Sequence, residues 1–324
     1  MSAAPNHVQP VLEAAGPHVA RLLGQTEDLL AQIAAGHGQA LGEHASNTLA
    51  AGGKRLRPVL VFVCAGTIES QDVVRAGAAV ELLHMATLVH DDVLDRAPMR
   101  RGRPTVFWVA GRDAATSTGD FLFSRAFAQL AATGSADAVR ALSGASSALA
   151  QGELLQRADA FSPDVSEERY FERCRLKTGK LFEAACRLGA VLGDPGPEAA
   201  DGVGAFGDRI GLAFQLFDDI LDVSGPPDQT GKGRGTDLLD GTVTLPLILA
   251  QRADPTLREA RPKSTTEAEA ICDRIQATDA IEKSRDRALG LVDEAKGGLG
   301  ALGLPERQAK ALELVADGVV ERYS

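Results

Sequence analysis

The amino-acid sequence predicts an all-α protein, a single-domain helical bundle that takes in residues 1–324. Three observations support this prediction. Apolar residues recur at spacings of three and four, as they do on one face of a helix. No segment alternates strictly between apolar and polar residues, which is the pattern of a half-buried strand. Composition does not change across any glycine- or proline-rich break, so none of these breaks is expected to link two domains.

The predicted helices follow one another with short breaks between them. The clearest is 73–95, a long Ala/Val/Leu stretch with Asp72 as its expected N-cap and Pro98 beyond its end. The same periodicity predicts helices at 8–34, 39–49, 121–130, 139–155, 167–192, 201–223, 245–251, 265–275, 280–299 and 305–323. Glycine and proline cluster in the breaks at 52–53, 97–104, 193–197 and 224–235.

Composition argues against several classes of protein. The chain has 34 Lys and Arg against 44 Asp and Glu, a net charge of −10, so no basic field is available for nucleic acid or an anionic membrane. No uncharged apolar run approaches the roughly 18 residues of a membrane-spanning helix. No Lys or Arg precedes Arg21 and no apolar signal region is present, so secretion is not expected. Four scattered cysteines, without a CxxC pair, are typical of reduced thiols in the cytoplasm: Cys64, Cys174, Cys186 and Cys272.

Two acidic clusters share the pattern DDxxD and are the strongest functional signal. Their members are Asp91, Asp92 and Asp95, and Asp218, Asp219 and Asp222. Residues three or four apart lie on one helix face, so these like charges repel unless a cation neutralises them. Carboxylate oxygens are the ligands that Mg²⁺ prefers. A solvated acidic helix face is the alternative, but both clusters follow apolar helical residues and are expected to border the core.

Polar neighbours share the faces of these clusters, and four basic turns accompany them. His84 lies on the stripe of Asp91 and Asp95, and Gln215 lies on that of Asp219. The basic turns are 52–58, 100–105, 177–179 and 231–235. Each alone is typical of a protein surface, but turn amides, guanidinium and ammonium groups together bind phosphates. With the acidic clusters they predict Mg²⁺-bridged binding of a diphosphate.

The absence of three common catalytic motifs limits the reactions that the chain is expected to catalyse. The chain has no nucleophile elbow, HExxH pair or Rossmann glycine fingerprint. A diphosphate held by metal and carboxylates is therefore the expected leaving group. An apolar helical interior would hold a hydrocarbon tail and shield a carbocation from water.

Residues 54–246 resemble the trans-isoprenyl diphosphate synthases. The resemblance rests on blocks in the family's order: GGKRLRP at 52–58, LLHMATLVHDDVLDRAPMRRGRPT at 82–105, KTG at 177–179, FQLFDDILD at 214–222 and GKGRGTDLLDGTVTLP at 231–246. It implies an all-α fold of the isoprenoid synthase type around a central active-site cavity, with two facing aspartate helices and usually a homodimer.

The resemblance also implies a role for each predicted site residue. The six aspartates would hold Mg²⁺, three ions per active site during turnover, and would be catalytic together with Lys177. Isopentenyl diphosphate would be bound by Lys54, Arg57, His84 and Arg101. The allylic diphosphate would be contacted by Arg100, Lys177, Thr178, Gln215 and Lys232. The chain departs from the family at Thr242, where a lysine is common, although Lys232 and Arg234 could partly substitute for it.

The implied reaction is a head-to-tail, 1′-4 condensation that yields a polyprenyl diphosphate. An allylic cation forms, the double bond of isopentenyl diphosphate attacks it, and a proton is lost. In the family the released diphosphate is thought to accept that proton, in keeping with the lack of a dedicated protein base in this sequence.

Residues just before the first cluster bear on product length. The positions that the family uses are occupied by Met85, Ala86 and Thr87, none of them aromatic, with Leu83 deeper along the helix. Two turns of helix are ~11 Å deep, which allows a medium- or long-chain product of about six to ten isoprene units, expected as a quinone side chain. Leu82, Leu83, Phe121 and Phe123 are candidates for the floor of this passage.

Other functions remain alternatives. The chain could make a short product such as farnesyl or geranylgeranyl diphosphate, or it could be a class I terpene cyclase or diphosphate hydrolase on the same fold. A non-catalytic subunit of a hetero-oligomer would be expected to lose one cluster, and both are kept. The resemblance thus favours a cytoplasmic enzyme that binds no nucleic acid, has no transmembrane segment, and touches membranes peripherally when its product is released.

Overall fold

The computed structural model describes residues 8–193, 196–225 and 234–321. Its helices are α1 (Gln9–Ala15), α2 (Pro17–Ala35), α3 (Gln39–Ala50), α4 (Leu56–Cys64), α5 (Gln71–Leu94), α6 (Val106–Ala131), α7 (Ala136–Ala158), α8 (Glu167–Cys174), α9 (Lys180–Leu192), α10 (Gly196–Ser224), α11 (Thr236–Leu239), α12 (Leu245–Ala253), α13 (Thr265–Gln276), α14 (Ala280–Leu299) and α15 (Glu306–Glu321). A π-helical turn (Arg175–Gly179) joins α8 to α9, and 3₁₀ turns cover Pro255–Glu259 and Gly300–Leu302. The all-α prediction is confirmed.

The helix α5 lies at the centre of the molecule. It packs against α2, α4, α6 and α9, and the run from Ala76 to Leu83 is buried without interruption. By length and composition α5 is the one helix of the described residues that could cross a membrane, but 72% of that stretch is buried within the fold. The apolar surface of α5 therefore serves core packing.

The helix α9 contacts both helices that carry the predicted aspartate clusters. It packs against α5 and α7 on one side and, more extensively, against α10 on the other. Both predicted aspartate helices, α5 and α10, thus rest on α9. One apolar cluster extends around them from Val8, before α1, to Val319 in α15.

Several helix boundaries differ from the predictions. The stretch 8–34 is two helices, because Gly16 adopts a φ of +110° and Pro17 begins α2. The N-cap of α5 is not Asp72 but Ser70, whose extended backbone (φ −126°, ψ 157°) lets its hydroxyl accept from the Val73 N–H at 3.2 Å. The predicted helix at 167–192 is divided among α8, the π-helical turn and α9.

Other elements were missed or shortened in the sequence prediction. The helix α4 was not predicted from the sequence. The helix α6 begins 15 residues before the predicted start at 121 and has a kink at Gly111. The break at 97–104 holds two strands of two residues each, β1 (Met99–Arg100) and β2 (Arg103–Pro104), paired antiparallel. The helices predicted at 39–49, 245–251, 265–275 and 280–299 are confirmed to within two residues at each end.

Candidate active site

The first aspartate cluster lies at the C-terminal end of α5 and is neutralised in part by the protein's own cations. Asp92 is buried, and its Oδ1 accepts a hydrogen bond from Arg100 Nε at 2.6 Å. Asp95 caps the helix, and its Oδ1 accepts from Arg157 Nη2 at 2.5 Å. Arg100 belongs to β1, so the hairpin folds back onto the cluster. The basic turn that follows these aspartates in sequence is thus also their neighbour in space.

The carboxylate of Asp91 stands in an environment that disfavours its negative charge. Burial raises the pKa of Asp91 to about 6; the nearby charge of Lys177 opposes the rise, while Glu153 and Asp95 add to it. A desolvated carboxylate gains from any cation that can neutralise it. Asp91 is therefore suited to accept a metal ion or a basic group of a substrate complex.

Three residues that the sequence analysis did not single out complete the surroundings of Asp91. They lie on α7: Glu153, Gln156 and Arg157. The Glu153 carboxylate accepts hydrogen bonds from Lys177 Nζ at 2.5 Å and from Arg157 Nε at 2.8 Å. Lys177 Nζ also donates to Gln156 Oε1 at 3.2 Å. Their sequence signal is an i, i+4 Glu–Arg pair, which is common on solvated helix faces and gives no hint of a site.

A close helix approach fixes the position of Lys177. A Cβ atom at Gly152 would lie 2.7 Å from the backbone nitrogen of Lys177, so only glycine allows α7 to pack this tightly against the π-helical turn. The hydroxyl of Thr178, the next residue, donates to Gln215 Oε1 on α10 at 2.8 Å. The turn that carries Lys177 and Thr178 therefore reaches both aspartate helices.

The second cluster is centred on Asp219, which is almost fully buried. Its Oδ2 accepts from the Tyr170 hydroxyl at 2.7 Å, and its Oδ1 accepts from Gln215 Nε2 at 2.8 Å. Burial raises the pKa of Asp219 to about 6, although these two donors and the nearby Arg173 charge oppose the rise. Tyr170 and Arg173 were not predicted from the sequence, because both act across a tertiary contact between α8 and α10.

The outer member of the second cluster is held by backbone groups. Asp222 accepts from the N–H groups of Thr236 and Asp237, at 3.1 and 3.2 Å, at the start of α11. A short helix thus ties the end of α10 to the loop that leads into α12. Lys232, predicted to contact the allylic diphosphate from this region, lies outside the described residues.

The glycine-rich turn before α4 gathers further cations. Arg55 is a structural member, because it pairs with Glu27 at 2.5 Å and with buried Glu81 at 2.6 Å. Arg57 lies with its guanidinium 4.6 Å from the ring centre of Phe182. Burial lowers the pKa of Arg57 to about 10, so the residue stays charged at neutral pH. Within the described residues Arg57 Nε has no hydrogen-bond partner, which leaves it available to an anion.

His84 lies among these arginines and is neutral. Burial lowers its pKa well below the ordinary value, and the charges of Arg57, Arg101 and Arg100 lower it further. Arg101 donates to the carbonyl of Gly52, so the hairpin after α5 closes over the glycine turn. A neutral imidazole beside three guanidinium groups can exchange hydrogen bonds with a phosphate without adding charge.

The predicted site residues therefore converge from separate parts of the chain. The cations around His84 come from the turn at 52–58 and from the hairpin, and the charge of Asp218 on α10 reaches Arg57. Lys177 reaches Asp91, and Thr178 reaches Asp219 through Gln215. Lys54 stands in the same turn as Arg57 and is half-buried. The two clusters are thus connected through the turn that carries Lys177 and Thr178.

The donor groups fit Mg²⁺ by their chemistry. Within residues 8–193, 196–225 and 234–321 no three His, Cys, Asp or Glu side chains stand together as a ready metal site. The reason is that the carboxylates turn to internal partners, such as Arg100 and Arg157. All the predicted donors are nevertheless carboxylate oxygens, and two of them, on Asp91 and Asp219, are desolvated. Mg²⁺ prefers such hard oxygen ligands.

The residues expected to set product length lie below the first cluster. Leu83 and Ala86 are fully buried and Met85 nearly so, while Thr87 is half-buried and its hydroxyl donates to the His84 carbonyl at 2.8 Å. Of the aromatic floor candidates, Phe121 is buried beside the His37 ring. Phe123 is 37% exposed and packs on Phe127 at the surface, so in this chain it is no longer a candidate for the floor.

The largest groove among the described pockets lies elsewhere. It has a volume of about 770 Å³ and runs between α7, α9 and the start of α10. None of the predicted site residues lines it. Its rim charges pair with one another, for example Arg187 with Glu183 at 3.0 Å and with Asp201 at 2.6 Å. The predicted site residues are therefore separate from this groove.

Sequence comparison identifies relatives along most of the chain. A family model described as polyprenyl synthetase matches residues 39–278. The heptaprenyl diphosphate synthase component 2 of Geobacillus stearothermophilus is 38% identical over 285 residues, which cover 84% of this chain and 86% of that protein. The octaprenyl diphosphate synthase of Escherichia coli is 35% identical over 268 residues, which cover 80% of this chain and 83% of that protein.

Solved structures agree with the sequence comparison. The polyprenyl synthase of Caulobacter crescentus, crystallised with calcium and isoprenyl diphosphate, superposes with a TM-score of 0.89 at 32% identity over the full length of both chains. The heptaprenyl diphosphate synthase of Staphylococcus aureus gives a TM-score of 0.88 at 28% identity over 94% of this chain and 99% of that one. The chain belongs to the polyprenyl synthetase family.

Proposed function

We propose that this member of the polyprenyl synthetase family is a Mg²⁺-dependent trans-prenyltransferase. It joins isopentenyl diphosphate head to tail to an allylic diphosphate and makes a medium- or long-chain all-trans polyprenyl diphosphate. One observation carries the proposal most directly: a single turn connects the desolvated carboxylates of Asp91 and Asp219. The charge of Lys177 reaches Asp91, and Thr178 donates to Gln215, which donates to Asp219. Carboxylates and cations of this kind together suit a metal-bound diphosphate.

The six aspartates of the two clusters are the proposed metal ligands. When bound, Mg²⁺ would supply positive charge that stabilises the departing diphosphate. To bind Mg²⁺, Asp92 and Asp95 would exchange their ion pairs with Arg100 and Arg157 for contacts with the metal. The released guanidinium groups remain nearby to bind phosphate oxygens.

Two sets of residues are proposed to bind the two substrates, one set for each diphosphate. Arg57, Arg101 and neutral His84, with Lys54, are proposed to bind the diphosphate of isopentenyl diphosphate. Lys177, Thr178, Gln215 and Arg100, with Lys232, are proposed to bind the allylic diphosphate. The two binding sets adjoin each other, since Arg57 and Arg100 both lie beside His84. Holding the two diphosphates apart but adjacent brings the double bond of one substrate to the reacting carbon of the other.

The chemical step breaks the allylic C–O bond and forms a C–C bond to isopentenyl diphosphate. Buried apolar residues before the first cluster, including Leu83 and Ala86, exclude water that would otherwise capture the allylic cation. The diphosphate that leaves takes the proton lost after the bond has formed. The chain's own residues therefore bind, orient and desolvate the substrates, and no protein base is assigned.

Two observations support the proposed product length. The relatives include proteins named heptaprenyl, octaprenyl and solanesyl diphosphate synthases. In this chain Ala86 is fully buried below the first cluster, and its small side chain is proposed to leave room for a growing tail. A short-chain product is the alternative, and a class I terpene cyclase is a less favoured one because both aspartate clusters have the DDxxD form.

We also propose that residues 1–324 form one domain, that the enzyme acts in the cytoplasm, and that it works as a homodimer. The continuous apolar cluster from Val8 to Val319 supports the single domain. The four cysteines are unpaired and buried, as expected for a reducing compartment.

The test is a condensation assay on the purified protein. Radiolabelled isopentenyl diphosphate is incubated with farnesyl or geranylgeranyl diphosphate and Mg²⁺, and the dephosphorylated products are separated by chromatography. The proposal predicts linear chains longer than the primer, formed only with divalent metal. Cyclised or merely hydrolysed primer would overturn it.

A further inference from the structure

Arg173, in the last turn of α8, is a buried cation without an ion-pair partner. It is 3% exposed, and its Nη2 donates to the Val243 carbonyl at 2.6 Å. Its guanidinium lies 5.2 Å from the ring centre of Tyr170. Among the described residues Nη1 has no hydrogen-bond partner, and no carboxylate lies within ion-pair distance of the guanidinium. Burying a charge in this way is costly unless a negative group compensates it.

Two other arginines have guanidinium groups that are paired with carboxylates. Arg55 pairs with Glu27 and Glu81, and Arg100 pairs with Asp92. Arg173 differs from these two arginines and resembles Arg57, whose Nε also has no hydrogen-bond partner in the described part of the chain. Since Arg57 is one of the proposed diphosphate-binding residues, an unpaired guanidinium here is the mark of a cation prepared for an anion that enters with substrate.

The charge of Arg173 acts on the second aspartate cluster. It reaches Asp219, and Tyr170 connects the two because its ring packs against the guanidinium while its hydroxyl donates to Asp219 Oδ2. Arg173 also donates to the carbonyl of Val243, in the stretch that leads into α12. Arg173 thus joins a positive charge that acts on Asp219 to the backbone before α12.

We propose that Arg173 is a positioning residue of the allylic diphosphate site, which acts through Asp219 and the backbone at Val243. This inference rests on the proposed function, because it concerns the same second cluster. Arg173 balances the negative charge of Asp219 before substrate arrives and keeps that carboxylate oriented towards the diphosphate and its metal. The isopentenyl diphosphate set around His84 is built from other elements and does not depend on Arg173.

The proposal predicts that the charge of Arg173 affects one substrate and not the other. Arg173→Met removes the charge but keeps an unbranched side chain of similar length. In this variant the KM for the allylic diphosphate should rise at least tenfold, and Mg²⁺-dependent binding of a non-reactive farnesyl thiolodiphosphate should weaken by a similar factor. The KM for isopentenyl diphosphate should stay within twofold of the wild-type value. Arg173→Lys, which keeps the charge, should retain more of the affinity for the allylic diphosphate than Arg173→Met.

The same experiment separates the inference from the proposed function. Wild-type turnover is measured first, and a wild type that does not condense the substrates contradicts the proposed function itself. If the wild type is active, parallel rises of both KM values in Arg173→Met, or an unchanged allylic KM, would overturn the role of Arg173. Should Arg173→Met fail to fold in thermal denaturation, Arg173→Lys takes its place. Its allylic KM should then lie between those of wild type and a further weakened Arg173→Gln, and an unchanged allylic KM in both would overturn the proposal.

Discussion

Lys177 and Glu153 are joined by a side-chain hydrogen bond of 2.5 Å, which ties the π-helical turn to α7 directly beside Asp91. The same carboxylate accepts from Arg157, which in turn holds Asp95. Glu153 therefore keeps two cations next to the first aspartate cluster. This pairing explains how a cluster of like charges is tolerated at the end of a buried helix.

Replacing Glu153 by Gln should destabilise the metal-free protein. Lys177 and Arg157 would lose their common acceptor charge in a partly desolvated position, so we expect the free energy of unfolding to fall by roughly 1–3 kcal/mol. Urea denaturation in the presence of a chelator measures the change. The matched control is Glu313→Gln, which removes the exposed pair with Lys310 and should change stability by less than about 0.5 kcal/mol. Equal losses in the two variants would contradict the role given to Glu153.

The contribution of Asp91 and Asp219 to the stability of the protein, measured in the presence of a chelator, should fall as pH rises between about 4 and 6. The pKa values of Asp91 and Asp219 are both raised to about 6 in the folded state, so in this window the folded protein binds more protons than the unfolded chain. Linkage then requires the free energy of unfolding to decrease with pH there and to level off above pH 6 as far as these groups are concerned. Denaturation at a series of pH values, with chelator present, gives the slope.

Asp91→Asn is the control for this pH dependence. The amide does not titrate, so the decrease between about pH 4 and 6 should be smaller in the variant than in the wild type. A slope that is the same in both proteins would show that Asp91 is not the source.

Arg100→Leu should test the ion pair that the hairpin makes with the first cluster. The change leaves the buried carboxylate of Asp92 without its guanidinium, which costs about 3–5 kcal/mol when a buried pair loses one partner. Because Mg²⁺ can take over as the counter-charge, part of the loss should be recovered when the ion is added. Denaturation with and without Mg²⁺ measures both effects. Arg103→Leu, on the exposed strand β2, should show neither of them.

Ala86→Phe should shorten the product without abolishing turnover. The added ring would fill space below Asp91, where Ala86 is fully buried, and overpacking should also lower stability by roughly 1–3 kcal/mol. Chromatography of the dephosphorylated products gives the length. Phe123→Ala serves as the control, because Phe123 lies at the surface and its removal should leave the length unchanged. A product of wild-type length from Ala86→Phe would refute the assignment of this passage.

The sequence was sufficient for the parts of the site that local periodicity determines. DDxxD on an apolar helix places Asp91 and Asp219 correctly at the edge of the core, because spacing along a helix fixes the face on which a residue lies. Glu153, Tyr170 and Arg173 were missed for the opposite reason. Their partners lie 24, 49 and 70 residues away, and only the packing of α7 and α8 brings them together.

Helix boundaries failed where backbone geometry outweighed composition. Asp72 and Ser70 are both good N-cap residues, and the choice between them depends on which one adopts an extended backbone. The π-helical turn that carries Lys177 has the same apolar periodicity as the helices around it, so no feature of the sequence marks it. The helix α6 begins 15 residues before the predicted start at 121 and continues through a kink at Gly111.

The central claim is that the two aspartate clusters act on one diphosphate, and a double-mutant cycle tests it most directly. Mg²⁺-dependent affinity for farnesyl thiolodiphosphate is measured by calorimetry for the wild type, Asp91→Asn, Asp219→Asn and the double variant. The account predicts that each single change weakens binding by at least tenfold and that the double change costs far less than the sum of the two, because both carboxylates serve the same ligand. Losses that simply add, or a single variant that binds as the wild type does, would contradict it.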